Sequence, residues 1–128
     1  MRLLLDTHIF IWWVDQPEKL SPTALSALED PANELLLSVA SVWEMQIKTQ
    51  LGRLKLSLPL SALVKNQHET NGLIMLPIAL THVLGLDSLP FHHKDPFDRL
   101  LIAQSVEEDL TLVSADSQFS VYSVKLLQ

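Results

Sequence analysis

Residues 93–104 read H-K-D-P-F-D-R-L-L-I-A-Q, and the layout of the whole chain follows from them. Asp95 has the short acceptor side chain of an N-cap, and Pro96 suits the first helical position, whose N–H would lack a partner in any case. A helix is therefore predicted from Pro96 to about Glu108. Asp98 falls in its first turn, where free backbone N–H groups and the positive end of the helix dipole favour an anion. Two readings stay open at this point. The acids stabilise a helix start and nothing more, or Asp98 belongs to a carboxylate cluster that binds a metal.

Outward from that helix, the chain alternates strands with helices. Residues 2–5 (RLLL) are an apolar run closed by Asp6, as in a buried strand with a carboxylate at its C-terminal end. Ile9, Trp12, Trp13 and Val14 follow at helical spacing as far as Pro17. A second helix has Ser21 as cap, Pro22 at its first position and Pro31 as its stop. Residues 34–38 (ELLLS) are the next strand, and SVASVWEMQIKTQLGRL is a helix with Val39, Val42 and Met45 inward and Gly52 as its terminator. A helix ending at Gly72, a strand in LIMLPI and a short helix over Leu80 to Leu86 lead to the Pro96 helix. The strand Leu110 to Ser114 and a last one in VYSVKLL complete the order. This pattern predicts one α/β domain over residues 1–128, with a mostly parallel sheet of about five strands between two helical layers.

The composition narrows the chemistry. Of the 128 residues 48% are hydrophobic and 19% charged, which excludes a disordered chain. The absence of cysteine removes disulfides, thiolate metal sites and cysteine nucleophiles, so any metal would be a hard ion held by oxygen or imidazole. Asp6 interrupts the apolar N-terminus and no small-residue cleavage site follows, so no signal peptide is read there. No stretch approaches the ~18 apolar residues of a membrane span. The expected location is cytoplasmic. A net charge of −6 argues against unaided electrostatic capture of nucleic acid, but setting four clustered acids aside leaves −2.

In open parallel sheets, ligands bind beyond the carboxyl ends of the strands, where the chain order reverses. Asp6 ends the first strand, Asp116 lies just past the fourth, and Glu44 is on the helix leaving the second. Asp98 fits this rule least readily: its helix is expected to start at the opposite edge unless the long Leu89–Pro96 connection returns across the strand ends. Four converging carboxylates repel by about 4 kcal/mol per pair at 4 Å, even at an effective dielectric of 20. Divalent cations relieve this, and they also activate water for in-line attack on a phosphodiester.

Each acid also has a plainer role. Asp6 could be a turn residue, Glu44 has capping-box spacing from Ser41, and Asp116 in S-A-D-S suits an Asx turn. His8, His82, His92 and His93 lack the HxH or HxxxH spacing of metal ligands and read as core or surface residues. Trp12, Trp13 and Trp43 read as core or subunit contacts. Lys48, Arg53 and Lys55 form a basic cluster that is either a solvated face or a phosphate contact, and Arg99 would hold a phosphate or pair with Asp95.

The segments LLLDTH, SVASVWEM, HKDPFDRLLIAQ and LVSAD, in this order and spacing, resemble PIN-domain proteins of the VapC toxin type from residue 2 to about residue 125. The resemblance implies an α/β/α domain and a Mg²⁺- or Mn²⁺-dependent endoribonuclease, the toxin of a toxin–antitoxin pair, inhibited by its antitoxin. It carries the acidic metal and catalytic set onto Asp6, Glu44, Asp98 and Asp116, with Asp95 as the other acid of the DPFD segment. Ser114 and Ser105 stand where Thr and Ala are more usual. An apolar surplus in the early helices, with Trp12, Trp13 and Leu20, joins the resemblance in suggesting a homodimer. An acidic cleft would receive a basic antitoxin arm. The alternative from another class is an inactive PIN-like binding or regulatory module, which a missing acid would have favoured. An aspartyl-nucleophile phosphatase is disfavoured because His8, not an acid, stands two residues after Asp6.

Overall fold

The strands line up because short leucine runs alternate between two apolar layers. The structure, a computed structural model, describes residues 1–128. Strand β1 (Arg2–Leu5) sends Leu3 and Leu5 to one face and Leu4 to the other, and β2 (Glu34–Ser38) divides Leu35 and Leu37 from Leu36 in the same way. On the first face these leucines pack with Ile9 and Phe10 of α1 (Thr7–Asp15), Ala24 and Leu28 of α2 (Pro22–Glu29) and Met45 of α3 (Val39–Gln50). On the second they meet Leu101 and Ile102 of α6 (Pro96–Glu107), with Phe119 and Tyr122. Helices α4 (Leu60–Asn71) and α5 (Leu80–Gly85) flank β3 (Ile74–Leu76), and β4 (Thr111–Val113) and β5 (Lys125–Leu127) follow α6.

All five strands are parallel, in the order β3-β2-β1-β4-β5. The chain steps outward from β1 to β2 to β3, then returns to the other flank of β1 for β4. The reversal therefore lies between β1 and β4, where a crevice opens at their carboxyl ends. The expected α/β/α arrangement with a five-stranded parallel sheet is the observed one. No helix is long and apolar enough to cross a membrane.

Local details depart from expectation for identifiable reasons. Helix α3 is capped by Ser38, whose hydroxyl accepts from Ala40 N–H at 3.0 Å. Val39 is thus the first helical residue and lies exposed, not inward, while the inward face begins at Ala40 and Ser41. The terminal strands are shorter than predicted. Pro77 closes β3, and before β5 the chain makes a 3₁₀ turn at Ser117–Val121 that buries Phe119. Gly52 (φ 72°) and Gly72 (φ 68°) end their helices in the left-handed region, as their placement predicted.

Candidate active site

Asp6 is the first residue beyond β1 and the N-cap of α1. Its Oδ1 accepts from Ile9 N–H at 2.8 Å, and its Oδ2 accepts from the hydroxyl of Ser114, the first residue beyond β4. The Ser114 hydroxyl also accepts from Asp116 N–H at 3.0 Å, so one side chain ties the ends of β1 and β4 together. A threonine there would keep this hydroxyl, which is why the departure at position 114 leaves the site intact. The other departure, Ser105, lies far from the acids and donates to Leu101 O within α6 at 2.8 Å.

Glu44 is buried on α3. Its Oε1 accepts from the Thr7 hydroxyl at 2.7 Å and its Oε2 from Lys48 Nζ at 2.6 Å. The capping-box reading of Glu44 with Ser41 fails, because the helix starts at Val39 and Ser41 lies within it, its hydroxyl without a partner. Lys48 belongs neither to a solvated face nor to a phosphate contact in this state. It is one turn along α3, where it neutralises Glu44.

Asp98 stands in the first turn of α6, behind the Asp95 cap, whose Oδ1 accepts from Phe97 N–H at 2.8 Å and Asp98 N–H at 3.3 Å. The expectation that this helix starts at the far edge is incorrect. A helix leading into a parallel strand descends antiparallel to it, so α6 begins at the carboxyl edge. Asp116 caps the 3₁₀ turn through Oδ1, accepting from Gln118 N–H at 2.9 Å, so its turn role is real. Its Oδ2 nevertheless faces the site.

His93 joins the last two acids, with Nε2 3.1 Å from Asp98 Oδ2 and 3.4 Å from Asp116 Oδ2. Sequence spacing missed it because its partners come from α6 and from beyond β4. The local sign was its place two residues before the Asp95 cap, whose N–H lies 3.2 Å from His93 Nδ1. Arg99 takes neither predicted role. It is buried and donates to the carbonyls of Pro90 (2.9 Å), Leu86 (3.3 Å) and Leu89 (3.4 Å), with its guanidinium 4.0 Å from the Phe91 ring centroid. It fastens the connection that carries His93 and Asp95.

The four acids lie close enough to act on one another's charge. Burial first, then the charges of Asp95, Glu44 and Asp6, push the Asp98 carboxyl up to about 7, against the opposing pull of His93. Burial also raises Asp6, with Asp116 adding to it, against the lowering by the Ser114 and Ile9 donors and His8. The donor set suits a hard cation. It is rich in carboxylate oxygen and holds more negative charge than Lys48 offsets, and the coordinating atoms of His93, Asp98 and Asp116 lie within 4.8 Å of one another. A cavity of about 230 Å³, lined by Asp6, His8, Trp12, Ala115 and Asp116, opens beside the acids. The largest cavity, about 730 Å³, lies elsewhere, between α3, α4 and β3. Its lining is mostly apolar, including Val42, Leu60, Val64 and Leu73, with Lys65 and His68 at its margin and none of the four acids.

Comparison with known proteins bears on the family and the fold. Over 116 residues the chain is 32% identical to ribonuclease VapC22 of Mycobacterium tuberculosis, covering 89% of this chain and 86% of that protein. The fold matches the crystal structure of VapBC2 from Rickettsia felis bound to a promoter DNA fragment, with a TM-score of 0.76 and 16% identity, covering 99% of this chain and 98% of that one. It also matches FitAcB from Neisseria gonorrhoeae, with a TM-score of 0.65 and 17% identity, covering 98% and 96%. The sequence profile of the PIN domain matches residues 3–125, and the chain is a member of the PIN domain family.

Proposed function

We propose that the chain is a Mg²⁺- or Mn²⁺-dependent endoribonuclease, the toxin of a toxin–antitoxin pair. The observation that carries this reading is the meeting of Asp6, Glu44, Asp98 and Asp116 at the β1/β4 crevice, with Asp98 pushed up to about 7. Asp6, Asp98 and Asp116 would hold the cation, with Glu44 completing the acidic wall beside Lys48. A divalent cation supplies charge neutralisation, activation of a water nucleophile and stabilisation of charge on the attacked phosphodiester. The chain's own residues fix the geometry. Ser114 and Ile9 N–H orient Asp6, Thr7 and Lys48 orient Glu44, and Gln118 N–H orients Asp116. With water as the nucleophile, no covalent protein nucleophile is required. The 32% identity to a ribonuclease supports RNA as substrate.

The antitoxin and homodimer belong to the same proposal. The toxin–antitoxin assemblies among proteins of this fold support the first. Unpartnered apolar surface supports both. The motive drawn from the early helices does not stand, because Leu20 is buried and Trp12 and Trp13 pack against the core. The exposed apolar side chains instead include Val39 and Trp43 on α3, Leu80, Val83 and Leu84 on α5, and Phe91. The apolar groove between α3 and α4 is a further surface a partner chain could cover.

The test is cleavage of a labelled single-stranded RNA with Mg²⁺, Mn²⁺ or chelator. Asp6→Asn and Asp98→Asn keep side-chain shape but remove charge, and should lower the rate at least about a hundredfold. Cleavage undiminished in chelator, or by Asp98→Asn, would refute the metal-dependent assignment.

A further inference from the structure

The carboxylate oxygens of Asp6, Glu44 and Asp116 are held by donors from the protein, and His93 lies with its ring against both Asp98 and Asp116. Its ring is fixed on three sides. The residue's own N–H donates to the Tyr122 hydroxyl at 2.7 Å, its face stacks on Phe119 with centroids 5.8 Å apart, and its Nδ1 lies 3.2 Å from Asp95 N–H. A backbone N–H can only donate, so Nδ1 presents its lone pair and the ring proton sits on Nε2. That Nε2–H is directed at Asp116 Oδ2, 3.4 Å from Nε2, while Asp98 Oδ2 lies beside it at ion-pair distance, 3.1 Å.

This arrangement conflicts with the simplest view of the cluster, in which His93 is itself a ligand. An imidazole that ligates through Nε2 carries its proton on Nδ1 and normally gives it to an acceptor. Here the Nδ1 proton would meet Asp95 N–H, donor against donor, at the cap that starts α6. Freeing Nδ1 would mean turning the ring off Phe119 or unmaking the cap.

We propose that His93 is a positioning residue that donates through Nε2–H to Asp116, beside Asp98, and remains outside the coordination sphere of the cation, which is therefore all oxygen. This inference rests on reading the four acids as a cation site. The Asp98 carboxylate accepts no hydrogen bond from the protein and stays open for the cation, while Asp116 Oδ2 is held. The consequence is selectivity. An all-oxygen site takes Mg²⁺ and Mn²⁺, whereas an imidazole ligand would shift preference toward Zn²⁺ and Co²⁺.

The experiment is long-range ¹H–¹⁵N correlation of the His93 ring in the full chain, first in chelator and then at saturating Mg²⁺, with the signals assigned by their loss in His93→Gln. The expected result is a protonated Nε2 and an unprotonated Nδ1 in both conditions. A proton on Nδ1 in the metal-free protein overturns the proposal, as does its transfer there when Mg²⁺ binds. Directly bound ¹⁴N coupling in pulsed electron paramagnetic resonance of the Mn²⁺ form overturns it too. In calorimetric titration with Mg²⁺, His93→Ala should bind about tenfold more weakly than the parent. His93→Gln, which keeps an N–H donor, should recover part of that loss. Parent-like Mg²⁺ affinity in His93→Ala would count against the proposal, and the ring measurement on the parent stands even where a variant fails to fold. A protein that binds Mg²⁺ with the donor pattern yet cuts no RNA removes the nuclease reading and leaves this one in place.

Discussion

Asp98→Asn should stabilise the metal-free protein while removing its activity. Burial and the charges of Asp95, Glu44 and Asp6 raise the Asp98 carboxyl from 3.8 to about 7. The native state therefore binds this proton more tightly than the unfolded chain. Stability from this group is then present in acid and lost as pH rises from about 4 to about 7. At 1.36 kcal/mol per unit, the full loss is on the order of 4 kcal/mol. The side chain is 22% exposed, and solvent screening brings the expected figure to about 2–3 kcal/mol. The asparagine keeps the shape of the side chain but carries no charge. In chelator at pH 8 the variant should thus melt about 8–12 °C above the parent, at roughly 4 °C per kcal/mol for a chain of this size. The gap should close as pH approaches 4. Saturating Mg²⁺ should raise the parent and leave the variant where it is. Thermal melts followed by circular dichroism at pH 4, 6 and 8, with chelator or Mg²⁺, make the comparison. A variant less stable than the parent at pH 8 in chelator would refute the picture of a strained acidic cluster and leave Asp98 as a helix-end stabiliser, whose loss costs about 0.3–1 kcal/mol.

Ser114→Ala leaves Asp6 Oδ2 and Asp116 N–H without their shared hydroxyl and should cost about 1–3 kcal/mol in urea unfolding, whereas Ser114→Thr should cost little. Arg99→Ala releases three carbonyls of the connection before α6 and should lose about 2–3 kcal/mol. Arg99→Lys should recover only part of this, because an ammonium cannot span the same fork, and parent-like stability of Arg99→Ala would show that the staple is dispensable. Trp43, 59% exposed and edge-on to Phe97 at 5.4 Å, sits where a second subunit would bury it. Trp43→Asp should convert dimer to monomer in light scattering without lowering the melting temperature of the monomer, and a parent already monomeric at micromolar concentration removes the dimer from the proposal.

The sheet was legible because its signals are local. Three consecutive leucines in β1 and again in β2 have no polar face to turn outward, so they can only be strands covered on both sides. Caps were equally plain at Ser21 and Asp95, where the acceptor side chain precedes a proline. The cap of α3 was misjudged because Ser38 and Ser41 both offer a hydroxyl at the right place, and only packing decides which of them starts the helix. The acids could be named from strand and helix ends, but what holds them could not. Ser114 reaches Asp6 across 108 residues of chain, and His93 reaches Asp116 across 23. Such bonds depend on which strand lies beside which. Lys48 was the exception, since its i,i+4 relation to Glu44 could be read directly from the sequence.

The same topology explains why an acidic chain can carry a site for a polyanion. The return of the chain to the free flank of β1 sets Asp6 beside Ser114 and Asp116, and the antiparallel descent of α6 brings Asp98 to the same edge. Negative charge is thereby concentrated where backbone N–H groups and hydroxyls can orient each carboxylate. Of the nearby basic groups, Lys48 is committed to Glu44 and Arg99 to the carbonyls of the preceding connection. Neither is available to a phosphate in this arrangement. Apart from Lys94, exposed between His93 and Asp95, attraction for a phosphodiester at this edge would therefore come from cations added to the acids. Substrate affinity should accordingly follow divalent-ion concentration more steeply than it follows monovalent salt. Binding of an RNA oligonucleotide in the presence of chelator as tightly as with Mg²⁺ would place the phosphate contacts elsewhere on the surface.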